Sequence, residues 1–133
     1  MIVTKMLTLI KPGYVKILRL FYTNKQIQLH LREIARQTKM HEPSVTRCLT
    51  ALETEGILKS RADGNMKKYS LQQNKKSYLF LAMFDGEKQE KLSKRRKEAI
   101  HIYLEKLPEK PVFTVLFGST AKETYKEDSD IDI

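Results

Sequence analysis

Cys48 is the only cysteine in the chain, so no intramolecular disulfide can form. Stability must come from a packed core, and a single thiol is consistent with a reducing compartment. There is also no apolar run of membrane-spanning length. The opening stretch MIVTKMLTLI, residues 1–10, is too short and is interrupted by Thr and Lys. It shows no signal-peptide pattern, and a cytoplasmic protein without membrane attachment is expected. Acidic residues are scarce: 16 Asp and Glu stand against 25 Lys and Arg, a net charge of +9. The composition is otherwise globular, with 41% apolar and 31% charged residues, which excludes full disorder. A length of 133 residues excludes a large two-domain enzyme.

The positive charge is unevenly placed. Residues 1–72 hold 13 basic and 5 acidic side chains, residues 73–110 hold 10 and 6, and residues 111–133 hold 2 and 5. A basic body with an acidic tip calls for a polyanionic partner, because neutralising phosphates releases counterions and drives association. On charge alone an anionic membrane surface stays open as well.

Apolar spacing supplies the elements. Val15, Leu18, Phe21 and Tyr22 recur at helical intervals after Pro12-Gly13, giving a first helix over residues 14–22 that stops near Asn24. Residues 26–30 alternate like a short strand. Leu31, Ile34 and Ala35 then mark a second helix through residue 38. A third helix starts near Glu42, where Pro43 fits only the first turn, and carries Val45, Leu49 and Leu52 on one stripe. Gly56 is the expected left-handed residue after its end. From residue 57 to 71, two extended segments flank Asp63-Gly64, a strong hairpin signal. Cys48, beside the core stripe with no acid–base partner in view, reads as a packing residue. His41, at the third helix's N-cap, reads as a surface turn residue.

Helix, short strand, helix, tight turn, helix and hairpin is the order of a winged helix-turn-helix. The segment LREIARQTKMHEPSVTRCLTALETEGILKS, residues 31–60, with the hairpin to Leu71, resembles that superfamily, and looks most like MarR-like and related archaeal or bacterial regulators. The resemblance implies sequence-specific binding of double-stranded DNA and a role in transcription regulation. The third helix would enter the major groove and the hairpin would lie against the backbone or minor groove. The residue chemistry agrees. With Val45, Leu49 and Leu52 inward, Glu42, Ser44, Thr46, Arg47 and Thr50 lie on or beside the opposite face. Arg47 can pair bidentately with guanine, Ser44 and Thr46 can donate to phosphate or base edges, and Glu42 can accept from cytosine N4. Arg61, Lys67 and Lys68 around the hairpin can hold phosphates. No cofactor is required for this binding. A module that binds protein is the competing reading of the same face.

The tail VLFGSTAKETYKEDSDIDI resembles the opening motif of DNA polymerase beta-like nucleotidyltransferases, particularly their minimal branch. That resemblance implies phosphate contacts from Gly118 and Ser119 at a helix start, and Mg²⁺ held by Asp130 and Asp132, alternating on a strand so that both face one way. The sequence departs from the family where Lys122 and Glu123 follow Ala121 in place of an Arg-Gly pair. The given sequence ends one residue after Asp132, before the family's third carboxylate. Catalysis by these 133 residues alone is therefore not expected, and Mg²⁺ would matter only with the domain completed. Nucleotide transfer from an NTP is the alternative function.

Between these parts, residues 75–107 read as helical with a break at Asp85-Gly86. Tyr78, Leu79, Phe80, Leu81, Met83 and Phe84 ring the first piece with apolar groups, which suits either an intrachain cap or an interface with a second copy. A homodimer through residues 77–84, with residues 2–10 as a further interface segment, is expected. The basic run Lys94-Arg95-Arg96-Lys97 reads as a solvated face or a phosphate contact. A buried strand is expected over residues 112–117. The expected organisation is thus a winged helix-turn-helix over 1–72, a helical linker or dimerisation region over 73–110 and an incomplete strand-helix-strand over 111–133. In fold class this is mainly α with a small β-hairpin wing, then a helical linker and a truncated α/β nucleotidyltransferase-like segment.

Overall fold

A computed structural model describes residues 10–111, 114, 116, 121–124, 126 and 129–133. The expected strand at 112–117 falls mostly outside these residues, as do Gly118, Ser119 and residues 1–9. The described elements run α1 (Pro12–Thr23), β1 (Leu29–His30), α2 (Leu31–Thr38), α3 (Glu42–Thr54), β2 (Leu58–Asp63), β3 (Met66–Leu71), α4 (Lys75–Glu90) and α5 (Lys94–Lys106). The chain divides into two compact units, Met1–Glu87 and Lys88–Ile133. The three segments drawn from sequence have other boundaries: α4 begins in the first unit, and α5 belongs with the acidic tail.

In the first unit, three antiparallel strands lie in the order β1-β3-β2. The hairpin forms where Asp63-Gly64 places it: Asp63 pairs with Met66, and Gly64 takes the left-handed φ of 60° that the turn requires. The expected strand at 26–30 shrinks to Leu29 and His30, paired with Tyr69 and Lys68. Leu58 and Leu71 face each other in register and turn inward. They join Ile17, Leu18 and Phe21 of α1, Ile34 of α2, and Val45, Leu49 and Leu52 of α3 in one core. Burying such aliphatic and aromatic side chains stabilises by roughly 1.5–3 kcal/mol each, which holds the helices to the sheet. The helix limits follow local chemistry. Asn24 ends α1, and Gly56 takes its positive φ of 73° after α3. His41 sits at the N-cap of α3 without a side-chain capping bond.

One expectation for the middle of the chain is corrected, and the apolar ring is divided between the two readings left open for it. The helix does not break at Asp85-Gly86; α4 runs through both residues to Glu90, and the interruption falls before Ser93, which caps α5 through the Arg96 amide. A single glycine costs a helix only about 1 kcal/mol. Tertiary contacts from this stretch offset it: Leu81 and Phe84 enter the core, and Tyr22 donates to Asp85 Oδ1 at 2.7 Å. Nor is the apolar ring wholly available to a second copy. Leu81, Phe84 and Ser77 are buried, while Tyr78 and Leu79 remain 53% and 69% exposed. Ser77 is spent on the start of α4, where its hydroxyl and backbone bond to Asn74. Among the described residues no helix is long and apolar enough to cross a membrane.

Candidate nucleic-acid interface

The turn between α2 and α3 is tight because Lys39 adopts a left-handed conformation, φ 55°, and the Met40 amide bonds back to the Ala35 carbonyl. Arg32 of α2 and Glu42 of α3 meet at 3.8 Å across this corner. α3 therefore presents its N-terminal half to solvent while its apolar stripe stays in the core. Glu42, Thr46, Arg47 and Thr50 are exposed and Ser44 is half-buried.

The hydroxyls on that face are already directed. Thr46 donates to the Glu42 carbonyl at 2.9 Å, Thr50 to that of Thr46 at 2.9 Å and Thr54 to that of Thr50 at 2.8 Å. With their protons committed to the helix, Thr46 and Thr50 offer outward an accepting oxygen and a methyl group. Those groups suit base amino groups and the thymine methyl, so Thr46 is placed to accept where the sequence suggested it would donate. Arg47 leans on Ser44, with Nη2 3.4 Å from Oγ, and the rest of its guanidinium faces solvent. Glu42, expected to read cytosine, also sits within ion-pair reach of Arg32.

On the hairpin, Arg61 lies opposite Lys68 and Ala62 opposite Lys67. Arg61 and Lys67 are exposed and, among the described residues, enter no ion pair. Lys68 is half-buried, its Nζ 3.3 Å from Asp63 Oδ2. The same oxygen lies 3.2 Å from His30 Nε2, and His30 Nδ1 meets the Lys67 carbonyl at 3.1 Å. His30, Arg32 and Lys11 were not singled out from sequence. Only the tertiary fold sets His30 beside the hairpin, and sets Lys11 close enough to Cys48 that its charge is felt there. Burial raises the Cys48 thiol above its ordinary range, and the Arg47 and Lys11 charges draw it part of the way back. The packing role read for it agrees: a Cβ added to Gly13 would stand 3.0 Å from Cys48 Sγ.

The second unit offers a different arrangement. Asp130 and Asp132 are exposed and Ile131 between them is half-buried, the alternation of an extended segment. Arg96, in the middle of the basic run, is not solvated: it is 5% exposed. Its guanidinium donates to the carbonyls of Lys126 at 3.0 Å, Ser129 at 2.8 Å and Asp130 at 3.4 Å. Lys94 pairs with Glu98 at 3.8 Å, and Lys97 donates to the Glu90 carbonyl at 3.2 Å. The two aspartates are hard oxygen donors of the type that suits Mg²⁺. Among the described residues, however, no group of three or more His, Cys, Asp or Glu stands ready to hold a metal.

No curated protein matches the chain. Residues 14–62 match the family model described as the IclR helix-turn-helix domain, and residues 96–133 match that of the nucleotidyltransferase domain. The helix-turn-helix match covers less than half of the chain. Among solved structures, the homodimeric winged helix-turn-helix DNA-binding domain from Mycobacterium bovis is similar at TM-score 0.50 and 22% identity, over 68% of this chain and 79% of that one. MepR, a transcription regulator of the Staphylococcus aureus multidrug efflux pump MepA, gives 0.50 at 23% identity over 73% and 76%. A MepR mutant bound to an oligodeoxyribonucleotide gives 0.52 at 21% over 78% and 80%. At these identities the likeness is one of fold, and it agrees with the element order and register above: the chain has the winged helix-turn-helix fold.

Proposed function

We propose that the chain is a cytoplasmic, homodimeric transcription regulator that binds double-stranded DNA sequence-specifically, with α3 in the major groove and the β2-β3 hairpin on the backbone. The observation that carries this reading is the division of α3. Val45, Leu49 and Leu52 are fully used by the core, while Thr46, Arg47 and Thr50 stand exposed with groups that match base edges. The net charge of +9 supplies the long-range attraction. The fold shared with MepR, a mutant of which is solved with an oligodeoxyribonucleotide bound, and with a homodimeric DNA-binding domain supports it. Exposed Tyr78 and Leu79 on α4 offer an apolar surface to a second copy. Two-fold pairing would set the recognition helices about 34 Å apart on a pseudo-palindromic site. Binding needs no cofactor.

The test is a duplex titration at increasing salt. Affinity falling linearly on a log–log plot is expected, and absence of binding at low salt overturns the reading.

A second reading is favoured by the match of residues 96–133 to the nucleotidyltransferase domain. In it, Asp130 and Asp132 bind Mg²⁺, and Gly118 and Ser119, which lie outside the described residues, hold a nucleotide phosphate. Calorimetry with Mg²⁺ and ATP tests it: weak or absent binding is expected for these 133 residues alone, and tight binding would put the enzymatic reading first.

A further inference from the structure

Strand register assigns the side chains of the sheet to two faces. Leu29, Leu58, Tyr69 and Leu71 belong to the face that packs on the helices. On the other, Arg61, Lys68 and His30 form one rung across β2, β3 and β1, since Lys68 is the pairing partner of both Arg61 and His30. Lys59 stands two residues before Arg61 on the same face. Like charges directly opposite one another repel, and this rung carries two permanent cations and an imidazole. Among the described strand residues, the single carboxylate on that face is Asp63. Its Oδ2 receives both Lys68 Nζ at 3.3 Å and His30 Nε2 at 3.2 Å.

We infer that Asp63 is an internal counter-anion of the wing, occupying in free protein the place that a DNA phosphate takes in the complex. A phosphate oxygen is the same kind of acceptor as a carboxylate oxygen, and the Asp63 side chain is 46% exposed, so Lys68 can exchange one for the other without unfolding the hairpin. The exchange lowers the wing's backbone affinity, which falls equally on all sequences. The share of binding that depends on base contacts by α3 is thereby raised. Asp63 is thus a specificity-setting residue that touches no base. This rests on the DNA-binding reading above.

The experiment measures binding of the full chain to a labelled duplex of mixed sequence by fluorescence anisotropy across a salt series. Wild type, Asp63→Asn, Lys68→Met and the double variant are compared, with circular dichroism confirming that each is folded at the assay temperature. Asp63→Asn is expected to tighten binding about two- to five-fold, the range of one exposed ion pair, with the log–log salt slope nearly unchanged, because Lys68 reaches the phosphate in both complexes. In the Lys68→Met background the same substitution should gain little. Unchanged or weaker binding by folded Asp63→Asn, or a gain that survives Lys68→Met, overturns the proposal while leaving the DNA-binding reading intact. Failure of wild type to bind any duplex at low salt removes the reading itself, and the proposal with it.

Discussion

Arg19 Nη2 lies 2.6 Å from Glu87 Oε2, joining the first helix to the far part of α4 across 68 residues of sequence. The same guanidinium stacks 4.9 Å over the Phe84 ring, whose other neighbour, Tyr22, is 5.2 Å away between ring centroids. The Glu87 side chain is 8% exposed while that of Arg19 is 44% exposed. Loss of the arginine therefore takes a charged partner from a buried carboxylate. Arg19→Ala should cost about 1–3 kcal/mol, less than a fully buried pair because one partner is half in solvent. Thermal unfolding checks this: a fall in Tm below about 4 °C would mean that the pair contributes little.

Arg47 and Lys67 should differ in kind. Arg47→Ala on α3 should cost about 1–3 kcal/mol on a preferred site and relax base preference there. Lys67→Ala should weaken all duplexes alike and reduce the salt slope by about one. Competition titrations with specific and random duplexes separate the two, and equal losses on both by Arg47→Ala would move sequence readout off α3.

The assembly prediction rests on α4. Leu79, 69% exposed, contributes little to the monomer's core, so Leu79→Asp should leave Tm nearly unchanged and shift the sedimentation coefficient from dimer to monomer at tens of micromolar. A dimer that persists in Leu79→Asp would place the interface on another surface.

In the second unit, Arg96→Met keeps most of the apolar stem but removes the donors to Lys126, Ser129 and Asp130. Three carbonyls then lose a charged partner, and amide exchange over residues 129–132 should accelerate while that of α3 stays unchanged. Hydrogen exchange resolved by residue gives the answer, and an unaltered rate at 129–132 would show that Arg96 does not hold that segment.

Much of the first unit was legible in the sequence. The 3.6-residue spacing of Val45, Leu49 and Leu52, Pro43 in a first turn, and Asp63-Gly64 between extended runs are local signals, and each rests on the chain's own short-range geometry. The exposed face of α3 followed from the buried one, so Thr46, Arg47 and Thr50 were found on the solvent side as expected. Long-range balance was not legible. Helical propensity alone breaks α4 at Gly86, yet Leu81, Phe84 and the Tyr22–Asp85 bond carry the helix through it. A run of four basic residues reads as solvated, yet Arg96 turns inward to carbonyls at least 30 residues away. Lys68 reads as a free wing cation, yet the fold gives it Asp63, and gives Asp63 a second partner in His30. The amino-acid sequence by itself determined which residues could be helix, strand, turn and core, because those choices depend on neighbours a few positions away. Only the tertiary structure decided which charges are spent inside the protein and which remain for a partner, because Coulombic and hydrogen-bond partners are set by distance in space and not along the chain.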